Sequence, residues 1–166
     1  MAQTITTSVR DLVDAANREI ETITAEQAIK LYGRDDVLFV DIRDIRTLYR
    51  VGRVPNALHC PRDVLEFSID PASPHHRTAF AADKLFIFFC AHGYRSPLAA
   101  LTASRMGLKP VAHLEGGFNS WKKSGGAVVY LQRATIQTRY SALFSDCALS
   151  GKVDAKFLPT MKALTH

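Results

Sequence analysis

Apolar positions along the chain follow two kinds of pattern. From residue 8 onward, Val9, Leu12, Val13, Ala16 and Ile20 recur at helical spacing and predict an amphipathic leading helix. Thr24 followed by Gln27 has the form of a capping box, so a short helix opens there and stops at Gly33. The second pattern is continuous. Val37-Leu38-Phe39-Val40 runs between Asp36 and Asp41, Leu85-Phe86-Ile87-Phe88-Phe89 has the same character, and Val111-Ala112-His113-Leu114 is a weaker third. Runs without polar alternation suit strands covered on both faces, as in a parallel sheet.

Helical signals fill the gaps. Ser96 is the expected N-cap of a helix with Pro97 at its first position, and Leu98, Leu101 and Met106 then form a stripe that ends at Gly107. Pro110 separates this helix from the next strand, and a further helix is expected from near Phe118 through Trp121 to Gly125-Gly126. Strands alternating with helices imply an α/β domain with a largely parallel sheet. Residues 70–79 read as a Pro-rich loop. After Gly126 the pattern changes: Val128-Val129-Tyr130-Leu131 resembles an edge strand, and residues 133–166 mix helix and loop signals. No internal repeat or low-complexity tract occurs.

Composition narrows the class. The 166 residues are 47% apolar and 22% charged, which suits one compact domain with a short appendage. The longest apolar stretch, Leu85 to Ala91, is far below the ~20 residues of a membrane span, so no contact with a membrane is expected. Asp11, Asp14, Glu19 and Glu21 near the start argue against a secretory or transit segment, and a cytoplasmic protein is expected. Cys60, Cys90 and Cys147 form no C-x-x-C pair, so free thiols are expected rather than disulfides or zinc. The net charge of +5 divides into +2 for residues 1–126 and +3 for residues 127–166. Without a Lys/Arg cluster, this is read as a mildly basic surface and not as a nucleic-acid interface. His75-His76 lacks a third ligand nearby, so no metal is assigned. Gly116-Gly117 lacks the G-x-G-x-x-G spacing, and no nucleotide or other cofactor is implied.

Candidate chemistry centres on Cys90, which follows the most apolar run and opens the loop Cys90-Ala91-His92-Gly93-Tyr94-Arg95 leading into the helix at Ser96. Beyond the carboxyl end of a parallel strand, unpaired helix N–H groups meet whatever sits in the loop. A thiol there faces positive potential, which favours the thiolate. Gly93 allows the turn that points N–H groups inward, and Arg95 adds a fixed cation.

These residues resemble the active-site loop of rhodanese-domain sulfurtransferases, in which a cysteine, four intervening residues and an arginine form a cradle. Val40-Asp41-Ile42-Arg43 is similar to that family's strand-end Asp-Val-Arg motif. Gly52-Arg53-Val54-Pro55-Asn56-Ala57 is similar to its Gly-His-Ile-Pro-Gly-Ala segment, with Arg53 and Asn56 as departures. Leu114-Glu115-Gly116-Gly117-Phe118 with Trp121 is similar to its closing motif. The resemblance implies a rhodanese-like sheet of about five mostly parallel strands with helices on both faces. It divides the chain into an N-terminal helix (1–19), the domain (20–126) and a C-terminal extension (127–166).

The implied activity is transfer of sulfane sulfur through a Cys90 persulfide, with a small anionic donor such as thiosulfate and a thiol, protein or cyanide acceptor. Arg95 would draw the donor and hold the loop through charge-assisted hydrogen bonds, Ser96 would cap the helix or donate to the sulfur, and His92 and Tyr94 would form the rim. Asp41 and Arg43 are read as residues that pair with each other's neighbours to brace the site, outside the chemistry. Cys60 or Cys147 could resolve an oxidised Cys90, although buried, unreactive thiols are the expected reading. Two other readings stand beside transfer: a non-catalytic sulfur carrier or redox-sensing module, and a cysteine phosphatase or arsenate reductase. Phosphatase loops place the arginine one residue later, where this chain has Ser96. Nothing in the pattern specifies an oligomeric state.

Overall fold

In chain order the computed structural model, which describes residues 3–131, runs α1 (Val9–Glu19), β1 (Glu21–Ile23), α2 (Ala25–Leu31), β2 (Val37–Asp41), α3 (Ile45–Val51) and β3 (Leu58–His59). It continues through α4 (Leu65–Ile69), β4 (Leu85–Phe89), α5 (Ser96–Arg105), β5 (Val111–Leu114) and α6 (Gly117–Lys123), with 3-10 turns at Arg62–Val64 and Thr78–Ala81. The five strands form one sheet in the order β1-β5-β4-β2-β3, and every neighbouring pair is parallel. This is the α/β architecture that the alternation of strands and helices predicts.

The central strand explains the layering. Along β4 successive side chains point to opposite faces. Phe86 and Phe88 enter one core with Leu65 and Ile69 of α4 and Ala99, Ala100 and Ala103 of α5. Ile87 and Phe89 enter the other with Ala25 and Ala28 of α2 and Phe118 and Trp121 of α6. Both layers need apolar side chains, so the strand shows no polar alternation in sequence. Each buried Phe or Ile contributes about 1.5–3 kcal/mol by leaving water.

Helix starts follow the capping residues. Ser8 and Asp11 form a reciprocal capping box at α1, and Thr24 and Gln27 form another at α2. The start of α5 differs from expectation by one residue. Arg95 occupies the cap position, Ser96 is the first helical residue, and no side chain caps the helix. The expected edge strand at 128–131 is a single antiparallel bridge, Val129 to Arg53. Among the described residues no helix is long and apolar enough to cross a membrane. Residues 132–166, including Cys147, lie outside the described part, as does most of the expected extension.

Candidate functional site

Cys90 is the residue immediately beyond β4 and is 2% exposed. Its carbonyl accepts the N–H of Phe118 (2.8 Å), and the carbonyl of Ala91 accepts that of Asn119 (3.1 Å), so the first turn of α6 holds the loop's base. The sulfur faces inward. The Gly93 N–H donates to Sγ at 3.2 Å, and the Ser96 hydroxyl lies 3.9 Å from it. Because no side chain caps α5, its leading N–H groups remain for the sulfur. Burial is the largest influence on the Cys90 pKa and pushes it up. The backbone N–H groups of Arg95, His92, Ser96 and Gly93 together outweigh burial, and the thiol titrates below its ordinary value.

Two glycines permit this closeness. Gly93 has φ 85°, and a Cβ there would stand 2.8 Å from the Gly116 nitrogen. Gly117 has φ 59°, and a Cβ there would fall on the Cys90 carbonyl oxygen. Sequence reasoning placed Gly93 in the cradle but missed Gly117 as a site residue. The available signal was the Gly116-Gly117 pair at a helix start, which marks left-handed backbone without saying what that backbone approaches.

The remaining loop residues divide into wall and rim. Ser96 is fully buried, whereas His92 and Arg95 are exposed and Tyr94 is 72% exposed. Among the described residues the Arg95 side chain makes no hydrogen bond or ion pair; it is exposed and does not tie down the loop. Asp41 and Arg43 were expected to brace the site through neighbouring residues; the structure pairs them directly with each other. Arg43 Nε and Nη2 donate to the two Asp41 oxygens at 2.8 and 2.6 Å, with both side chains buried. Nη2 also reaches the Gly52 carbonyl at 3.1 Å. The guanidinium lies 3.9 Å from the centre of the Phe118 ring, and Phe118 is the residue whose N–H holds the Cys90 carbonyl. The pair therefore touches the cradle through one aromatic ring.

Cys60 is a separate thiol. Asp41 stands beside His59 on one side and Phe89 on the other, so Cys60 and Cys90 flank Ile42 at the same height, two strand spacings apart. That is about 10 Å between α-carbons, beyond the ~7 Å limit for a disulfide. Burial raises the Cys60 pKa, against smaller lowering influences from Ser68 and Arg77. Cys60 is buried, and on this spacing it does not reach Cys90 without backbone movement. No group of three or more His, Cys, Asp or Glu suited to a metal occurs among the described residues.

Comparison with known proteins gives a consistent setting for this geometry. A structure from Rhodopseudomonas palustris CGA009, described as a protein of unknown function and possible tyrosine phosphatase, is 51% identical. It covers 78% of this chain and 99% of its own, with a TM-score of 0.75. A rhodanese-related protein from Thermoplasma volcanium is 26% identical, covers 67% of this chain and 99% of its own, and has a TM-score of 0.54. A tRNA uridine(34) hydroxylase of Photorhabdus laumondii is 31% identical over 97 residues, 58% of this chain, and the match spans only 27% of that relative. The model of the rhodanese-like domain matches residues 24–124, from the Thr24 cap to the end of α6. With the sheet order, the Cys90 cradle and this match in agreement, the chain belongs to the rhodanese-like domain family.

Proposed function

We propose that the chain is a sulfurtransferase that carries a sulfane sulfur on Cys90 as a persulfide. The donor is thiosulfate or another persulfide, and the acceptor is a thiol, on a small molecule or a protein, or cyanide. The observation that carries this reading is the convergence of main-chain N–H groups on one buried sulfur with a lowered pKa. The Cys90 thiolate attacks the outer sulfur of thiosulfate. The new S–S bond forms as the old one breaks, and sulfite leaves with the bonding electron pair. The resulting persulfide anion stays within reach of the loop donors. Cyanide or a thiolate then attacks the outer sulfur, takes it as thiocyanate or a persulfide, and returns Cys90 as thiolate, which is a double-displacement scheme.

Each neighbour has a part in this scheme. The exposed Arg95 attracts the anionic donor, and the buried Ser96 hydroxyl, which accepts from the Cys90 thiol at 3.9 Å, turns its own proton to the sulfur once the thiol ionises. His92 and Tyr94 border the route of the acceptor. The chemistry needs Cys90 as a free thiol, the state that a cytoplasmic setting maintains. Phosphatase chemistry fits less well, because the position for the later arginine is occupied by buried Ser96.

Intact-protein mass spectrometry after incubation with thiosulfate tests the proposal. A gain of one sulfur, reversed by cyanide or dithiothreitol and absent in Cys90→Ser, is expected. Lack of any gain with both thiosulfate and a persulfide donor would overturn it. Loading without steady-state turnover would make the protein a carrier, and Cys90-dependent hydrolysis of an aryl phosphate would favour the phosphatase reading.

A further inference from the structure

Beyond α6 the chain turns back and is attached at three successive points. The Trp121 indole N–H donates to the Ala127 carbonyl at 2.9 Å, and a Cβ at Gly126 would fall on the same indole. Val129 exchanges both main-chain hydrogen bonds with Arg53, each 2.9 Å, as a hydrogen-bonded antiparallel pair does. Lys122 Nζ then donates to the Tyr130 hydroxyl at 3.2 Å. Residues 127–131 are thus a strap laid over the end of α3.

What the strap crosses is Gly52. Its φ is 87°, and a Cβ there would stand 2.7 Å from Val128 Cγ1, 3.0 Å from the Val129 carbonyl oxygen and 3.2 Å from the Tyr130 ring. The close approach and the left-handed backbone both call for glycine. The Gly52 N–H is held by the Leu48 carbonyl at 3.0 Å, and the strap presses from the other side. Between them they set the direction of the Gly52 carbonyl, which accepts Arg43 Nη2 at 3.1 Å.

Arg43 carries this contact inward. Its side chain is wholly buried and Nη1 has no partner, so Asp41 and the Gly52 carbonyl are the acceptors that fix the guanidinium. The guanidinium lies 3.9 Å from the centre of the Phe118 ring and 5.8 Å from that of Phe89. Phe118 donates its N–H to the Cys90 carbonyl, and Phe89 immediately precedes Cys90. There is no slack at that end, because the Gly117 backbone and the Cys90 carbonyl meet at a distance that admits no Cβ. In a close-packed interior a displaced guanidinium displaces the rings against it.

We propose that residues 127–131 are a positioning strap for the Cys90 cradle, acting through the Gly52 carbonyl and Arg43. The strap holds the guanidinium against the two phenylalanines, and the phenylalanines keep the loop N–H groups on the sulfur. Its catalytic meaning rests on the sulfurtransferase reading, whereas its effect on Cys90 is read without any transfer.

The test follows iodoacetamide alkylation of the Cys90 peptide against pH in the full chain, with Tm measured alongside. Val129→Pro removes the N–H that the Arg53 carbonyl accepts, while Val129→Ala keeps both main-chain bonds. The proline variant should ionise Cys90 about twofold to tenfold less readily, the factor for weakening one hydrogen bond, which raises the alkylation midpoint by about 0.3–1 pH unit. The alanine variant should keep the wild-type midpoint. If the proline variant does not fold, Val128→Ala combined with Tyr130→Ala, which strips the side chains lying on Gly52, is read in its place and should raise the midpoint in the same direction. An unchanged midpoint in the variant so read overturns the proposal, as does an equal rise in Val129→Ala. Thiosulfate loading of the wild type reports separately: a chain that takes up no sulfur yet shows the raised midpoint keeps the strap and loses the transfer reading.

Discussion

At Cys90 a thiol that ionises more readily than usual and a nearly closed environment coexist because main-chain donors replace the water that burial removes. The consequence is measurable. With its pKa lowered, Cys90 should reach half-maximal iodoacetamide alkylation at a pH below that of an ordinary thiol, while Cys60 stays unmodified in the native protein. Equal reactivity of the two thiols would contradict the geometry. The cradle also depends on Gly117, where a Cβ would fall on the Cys90 carbonyl oxygen. Gly117→Ala should move the alkylation midpoint towards higher pH and slow the proposed sulfur transfer about tenfold or more, since displaced donors cost ~1.4 kcal/mol per factor of ten. Cys90, Gly93 and Arg95 were legible in the sequence because a loop after a buried strand and before a helix has a known electrostatic character. Gly117 was not, because its partner is a carbonyl distant along the chain.

At the scale of elements, the buried Asp41–Arg43 pair fastens the end of β2 to α6. Removing one member leaves the other charged, buried and unpaired. Arg43→Met should therefore cost about 3–5 kcal/mol in urea unfolding, and an effect below 1 kcal/mol would show that the pair is dispensable. Thr24→Ala removes half of the α2 capping box and should cost about 1 kcal/mol by the same measurement. The sequence made some elements plain and hid others for physical reasons. β2, β4 and β5 announce themselves as apolar runs because both faces are covered. β1 and β3 are three and two residues long, too short for any period to register. α3 and α4 are seven and five residues, and their few buried positions do not make a stripe. The cap of α5 was misplaced by one residue because a serine before a proline has the composition of a cap. Here its hydroxyl faces the sulfur instead of the helix N–H groups.

For the molecule as a whole, one poorly accommodated ionisable group among the described residues lies on β5. His113 is 3% exposed, Nε2 meets the Thr22 hydroxyl at 3.0 Å, and Nδ1 has no partner. Burial lowers its pKa, against a smaller raising influence from the Leu114 backbone. The unfolded chain therefore binds a proton more readily than the folded one, and the stability contributed by neutral His113 is present above about pH 6.5 and lost as pH falls through the lowered folded value. Thermal unfolding between pH 7 and pH 5 should show a falling Tm in the wild type and a shallower fall in His113→Gln. Parallel slopes would remove His113 from the acid response.

The depth of Cys90 sets a rule of reach. A sulfur that is almost wholly interior offers an incoming molecule little to grasp, yet one further sulfur bonded to it extends the side chain by about 2.05 Å. On the proposed chemistry the sulfur is then more recessed before loading than after it. Selection among acceptors becomes a matter of how slender their attacking atom is and how far it projects from the body that bears it. A bulky thiol set flush in its own surface would be excluded by distance alone, whatever its affinity for the rim.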